Sequence, residues 1–312
     1  MASSPAVGED RPRRRHLAAR KALFAGRRAT APLRTLPDFL IIGAQRSGTT
    51  SLFNWLTSRP DVGRPFKKEV HYFDLNYHRG LGWYRSHFPI RRKGRISGES
   101  TPYLLLHPLA PDRAARDLPE TRFVVVLREP VERAISAYWH RRQRLAGRGE
   151  PIDESLEEAL ERESEAVDVL GERVARGEVS LEHMAYSFVR RGEYAPQLER
   201  WFAAVGRDRV LVLEAERLGA DPAYAERVVE WLGLPPRPAD PFPVLNRAAR
   251  EVPASPETVA RLRDHFEPFN RRLFELLGEE LWTTGRGGSG ERDGSGEPAG
   301  SRPQVETADR SE

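Results

Sequence analysis

The chain has 312 residues, 39% hydrophobic and 31% charged, which suits a soluble globular protein of one large domain or two small ones. No apolar run approaches the ~20 residues of a membrane span, and the absence of cysteine rules out disulfides and thiol chemistry and fits a reducing cytoplasm. A formal charge of +4 with a pI near 9.5 makes the basic excess modest and local, so no specific nucleic-acid partner is expected.

Residues 1–36 are rich in Arg, Ala and Pro, with Arg13-Arg14-Arg15 and Arg27-Arg28. They read as a flexible basic arm, partly helical, either a solvated tail or a weak contact for a membrane surface. They lack the apolar core of a signal peptide, so export is not indicated and a cytoplasmic location is expected. Apolar runs at 39–42, 95–98, 123–127 and 210–213 are strand candidates, the second of them weak. Helical patterns follow at about 48–58, 130–145, 193–205, 221–232 and 256–277. Continuous apolar strands alternating with amphipathic helices argue one α/β domain over residues 37–284, with a central parallel sheet flanked by helices. A Glu-dense stretch at 150–178, within an insertion reaching about 190, reads as a charged surface helix or lid. Residues 285–312 are Gly-, Ser- and Glu-rich and are expected to be a disordered tail.

Three segments carry chemistry. In Gly43-Ala44-Gln45-Arg46-Ser47-Gly48-Thr49-Thr50-Ser51 an apolar strand breaks at a glycine and a helix opens on hydroxyl residues, as in a phosphate-binding loop. Thr49 stands where a nucleotide-triphosphate loop has lysine, so the loop suits an anion other than the β/γ-phosphates of ATP. The competing reading is a plain glycine turn. In Phe123-Val124-Val125-Val126-Leu127-Arg128-Glu129-Pro130 the strand ends in Arg128, where a nucleotide hydrolase often carries a metal-holding aspartate. A cation at the carboxyl end of a parallel strand suggests a second phosphate bound directly, with Ser136 two turns along the next helix adding a hydroxyl. In Lys67-Lys68-Glu69-Val70-His71-Tyr72-Phe73-Asp74, Glu69 and His71 share a face if the segment is extended, and a carboxylate beside an imidazole can serve acid–base chemistry on a hydroxyl or amine. An ordinary strand with solvated charges reads as well.

Together these segments resemble the sulfotransferases that use 3′-phosphoadenosine 5′-phosphosulfate (PAPS), in particular the heparan sulfate glucosaminyl N- and 3-O-sulfotransferase branch and its bacterial relatives. The resemblance runs from about Pro37 to Trp282. It implies that the loop residues Arg46, Ser47, Gly48, Thr49 and Thr50 grip the 5′-phosphosulfate. It further implies that Arg128 and Ser136 grip the 3′-phosphate, that Glu69 is the catalytic base, and that no metal is obligatory. Gly80-Leu81-Gly82-Trp83-Tyr84, Gly98-Glu99-Ser100-Thr101-Pro102-Tyr103 and Gly192-Glu193-Tyr194 also look like family segments. Three positions depart from the pattern: the loop lysine is Arg46, the lysine before the Thr-Pro pair is Ser100, and the late Lys-Gly-Arg loop survives only as Ala248-Ala249-Arg250.

The expected reaction is in-line transfer of a sulfuryl group from PAPS to a hydroxyl or amine of a glycan, lipid or secondary metabolite. Glu69 is the base, Arg46 stabilises developing charge, and His71 and Asp74 lie on the acceptor side. Arg250 joins the 3′-phosphate site. Residues 71–88, the 150–178 segment, Tyr103 and the basic positions Arg79, Arg85, Arg91, Arg92 and Lys93 are candidates for choosing the acceptor. The Ala/Arg/Pro-rich composition points to a bacterial source. The alternatives are a kinase or NTPase, which would need a lysine at position 49, and a non-catalytic nucleotide binder.

Overall fold

A computed structural model describes residues 10–150, 153–236, 242 and 253–283. The chain enters through helix α1 (Asp10–Ala29) and reaches strand β1 (Phe39–Gly43), which feeds α2 (Thr49–Ser58). Then come β2 (Val62–Gly63), α3 (Leu81–Arg85), β3 (Ile96–Ser100), α4 (Ala110–Asp117), β4 (Arg122–Leu127) and α5 (Pro130–Ala146). Helices α6 (Leu156–Ala175), α7 (Leu181–Tyr186) and α8 (Tyr194–Val205) lead to β5 (Val210–Glu214), followed by α9 (Ala215–Ala220), α10 (Pro222–Trp231) and α11 (Pro256–Leu277).

The five strands are parallel, in the order β2-β3-β1-β4-β5. This is the α/β class expected from the sequence. All of β1 is buried, and its side chains alternate between two cores. Leu40 and Ile42 join Phe123, Val125 and Trp201 under α4 and α8, whereas Phe39 and Ile41 join Val124, Val126, Leu52 and Val228 under α2 and α10. With both faces covered, the carboxyl ends of β1, β3 and β4 are left to hold the site.

Two expectations are corrected. The stretch read as a flexible arm is helical from Asp10, and its second half is docked. The Phe24 ring lies 4.6 Å from that of His87 and 5.5 Å from that of Phe66. Arg27 donates from Nε to the Ser86 carbonyl at 2.8 Å and from Nη2 to the Phe88 carbonyl at 2.6 Å. Arginines that satisfy backbone carbonyls look like solvated charge in a sequence. The 150–178 segment is helical, but α6 is not merely a charged surface. A capping box between Ser155 and Glu158 starts it, and Leu156, Ala159 and Leu160 pack with Ile135, Trp139 and Phe266 of α5 and α11. Its buried Glu163 accepts the Val189 N–H at 2.8 Å and the Arg190 N–H at 2.9 Å. Residues 285–312 lie outside the described residues, as does Arg250.

Candidate active site

The loop after β1 keeps each glycine for a separate reason. A Cβ at Gly43 would sit 2.6 Å from the Leu105 side chain, and Gly48 has φ 85° as the N-cap of α2. No side chain caps that helix, so its first amides and positive dipole end remain available to an anion. Ser47 is buried, and its hydroxyl lies beside the Tyr194 phenol without completing a hydrogen bond. The phenol instead donates to the Arg128 carbonyl at 2.9 Å. An uncapped helix start beside a buried hydroxyl can receive an anion. Arg46, at φ 71°, donates from Nε to Ser136 Oγ at 3.1 Å. The residues assigned to the two ends of the donor are thus in direct contact.

A lysine from outside the loop reaches it. Lys68 Nζ donates to Thr50 Oγ1 at 2.5 Å and lies 3.9 Å from Glu69 Oε1. The segment is no extended strand. Glu69 and His71 have φ 55° and 56°, so with Arg46 all the non-glycine residues of positive φ among the described residues fall in this site. Left-handed backbone at such residues persists only where the surroundings impose it, and it concentrates at functional sites. Two side chains impose it here. Glu99, fully buried at the end of β3, accepts the Val70 N–H at 3.3 Å, and Asn76 donates to the His71 carbonyl at 2.8 Å.

His71 stands between two carboxylates, with Nδ1 2.6 Å from Asp74 Oδ2 and Nε2 3.6 Å from Glu69 Oε2. Burial opposes its charge, but Asp74 and Glu69 outweigh burial and raise its pKa to about 9. Burial likewise pushes the Glu69 carboxyl up, yet His71 and Lys68 outweigh it and hold that group below its usual value. Asp74 is enclosed and also accepts the Leu75 N–H at 2.8 Å, so it steadies His71 instead of meeting an acceptor. Tyr103 is likewise turned inward, 2.7 Å from His183 Nδ1.

At the end of β4, Arg128 faces Glu132 and Glu216, each at 3.4 Å. Its charge and burial together lower the pKa of Arg46, burial being the larger cause. Glu129 accepts the Val131 and Glu132 N–H groups and Pro130 opens α5, which carries Ser136 toward the loop.

Comparison with known proteins identifies the family. The family model described as sulfotransferase domain matches residues 36–265. The chain belongs to the sulfotransferase family. It is 33% identical over 272 residues to heparan sulfate glucosamine 3-O-sulfotransferase 6 of Homo sapiens, covering 80% of this chain and 74% of that protein. Against 3-O-sulfotransferase 3B1 of Mus musculus it is also 33% identical, over 79% of this chain but only 64% of the relative. The crystal structure of a sulfotransferase from Alicyclobacillus acidocaldarius superposes with a TM-score of 0.63 at 27% identity, covering 78% of this chain and 97% of that one. The enzyme is therefore a sulfotransferase of the PAPS-dependent kind, and the expected family is borne out.

Sequence reasoning missed three residues of this sulfotransferase site. Lys68 was in the quoted motif, but nothing in the sequence shows that it reaches Thr50. Glu99 stood in a quoted family segment just past a run read as a weak strand, with no role read for it. His140 lies one helical turn beyond Ser136 on α5, where burial first, and then Arg46 and Arg144, lower its pKa; a spacing of four from Ser136 was the available signal.

The His71 shift predicts a pH-dependent stability. A folded pKa of about 9 against 6.5 stabilises the fold fully below pH 6.5 and is lost as pH rises through 9, by roughly 3 kcal/mol. The melting midpoint should fall across that window, and Asp74→Asn should flatten the fall. A midpoint in the unmodified enzyme that stays level from pH 6.5 to 9 would contradict the ion pair.

Proposed function

We propose that the enzyme transfers the sulfuryl group of PAPS to a hydroxyl or amine of a glycan, lipid or secondary metabolite, with Glu69 as the base. The convergence of three left-handed residues, Arg46 on the loop after β1 and Glu69 and His71 on the segment that Lys68 ties to it, carries this reading. PAPS carries its activated sulfuryl group on the 5′-phosphate and a second anionic group at the 3′ position. Arg46, Ser47, Thr49, Thr50 and the amides opening α2 would hold the 5′ end, with Lys68 adding charge through Thr50. Arg128 and Ser136 would hold the 3′-phosphate. His71, kept charged by Asp74, orients the Glu69 carboxylate and leaves it ionised to take the acceptor proton at neutral pH. Donors fixed before the reaction stabilise charge on the leaving phosphate without reorganisation. The named glycan substrates of the relatives favour a glycan acceptor. Exposed Arg20, Lys21 and Arg28 on α1 are the charge that a weak membrane-surface contact would use, and the cysteine-free composition suits a cytoplasmic enzyme.

The test is a labelled-PAPS assay against a panel of glycan, lipid and small-molecule acceptors, paired with thermal stabilisation by adenosine 3′,5′-bisphosphate and by Mg·ATP. Transfer to one acceptor class and stabilisation by the bisphosphate are expected. Stabilisation by Mg·ATP alone, with no transfer, would favour a kinase or NTPase. Arg128→Ala should weaken bisphosphate binding by about 1.5–3 kcal/mol, the usual worth of a charged hydrogen-bond partner. An affinity unchanged in that variant would remove Arg128 from the 3′-phosphate site.

A further inference from the structure

A cavity of about 360 Å³ lies at the opposite end of the sheet, lined by Arg27, Arg34, Arg92 and Arg95 with Ile90 and Ile96 beside them. Its wall is fixed by Thr35, which precedes β1, and Ser97 near the start of β3, whose hydroxyls are 2.8 Å apart. The sulfotransferase site is at the carboxyl ends of those strands, roughly 15 Å away across five residues.

The two inner arginines are rigidly held, but only by neutral acceptors. Arg27 donates to the Ser86 and Phe88 carbonyls. Arg34, buried, donates to the Phe88 carbonyl at 2.9 Å, to Thr30 Oγ1 at 2.9 and 3.0 Å and to the Arg27 carbonyl at 3.1 Å. Burial lowers the pKa of both, and Arg34 lowers that of Arg27 further, though a guanidinium stays charged. Among the described residues no carboxylate lines the cavity. The nearby Asp38 is turned to the Ser97 N–H at 2.7 Å and attracted by Arg91. Arg92 and Arg95 are exposed at the rim, and Ile90 is half exposed.

Two held guanidinium groups and two at the rim share one cavity with no carboxylate in its lining, and their charges repel one another. An anion removes that penalty, and the planar fork of arginine matches a phosphate or sulfate ester better than a halide. The volume falls in the range of small-ligand sites. We propose that this cavity is a second anion site, separate from the donor site, which takes a phosphate or sulfate monoester with its less polar body against Ile90 and Ile96.

The experiment keeps the donor site saturated with adenosine 3′,5′-bisphosphate and titrates the full chain with glycerol 3-phosphate by calorimetry at fixed salt. A parallel arm measures sedimentation with phosphatidic acid vesicles against phosphatidylcholine vesicles. Saturable binding is expected in one arm or both, the first marking a free ester and the second a lipid headgroup. It should weaken at least tenfold in the double variant Arg92→Ala/Arg95→Ala, whose rim positions leave the melting midpoint unchanged. No saturable binding in either arm, or binding indifferent to the double variant, would overturn the proposal. Neither readout depends on turnover, so failure here leaves the sulfotransferase reading intact.

Discussion

Glu69→Gln is expected to lower kcat by about 10²- to 10⁴-fold, the usual contribution of a positioned general base, while binding of adenosine 3′,5′-bisphosphate stays within a factor of about three. The amide keeps the size of the side chain and its reach toward His71 Nε2, 3.6 Å away in the parent, but cannot take a proton. Single-turnover transfer with labelled PAPS measures the first quantity and calorimetry the second. His71 and Lys68 hold the parent carboxyl below its usual pKa, so the acid limb of the kcat profile should fall below the ordinary glutamate value of about 4.3. Retention of turnover in the variant would take the base role away from Glu69, and an acid limb near pH 7 would point to another group, of which Glu99, raised by burial to about 7, is the nearest candidate.

Arg46→Ala is expected to lower kcat by about 10²- to 10³-fold, the range seen when one preorganised charge-stabilising donor is removed, and to weaken bisphosphate binding as well. Arg46 joins the loop to α5 through Ser136. Its loss therefore removes charge from the 5′ end and a positioning contact from the 3′ end together. Arg46→Lys restores charge but not the fork, and should recover binding more than turnover. If the alanine variant binds and turns over like the parent, the loop does not act on the donor through this side chain.

Where apolar runs met glycine, the sequence was readable. The 39–42 and 123–127 runs are β1 and β4 to within one residue, because buried parallel strands need unbroken apolar faces. Strand β3 was misplaced because Ser97, Glu99 and Ser100 are polar and buried; their partners come from distant segments. The two-residue β2 is too short to leave a period. The structure brings Arg46 to Ser136, and the positions of Arg46 on the loop, Arg128 at a strand end and Ser136 on the next helix were legible. The left-handed turn at Glu69 and His71 was not, since alternating charged and apolar residues imitate a strand and the clamp depends on Glu99 and Asn76. Tyr103 and Asp74 were read as facing an acceptor because a sequence cannot tell an outward polar group from one enclosed with a histidine.

The bond from Lys68 to Thr50 has a kinetic consequence. The residue that touches the donor loop is the immediate neighbour of the base. Any adjustment of Thr50 around an incoming anion is passed through one peptide unit to the Glu69 backbone, which is already held in a narrow conformational well. On the donor-site and base assignments proposed above, the two substrates are expected to bind in a compulsory order, donor first, with acceptor affinity rising once adenosine 3′,5′-bisphosphate is in place.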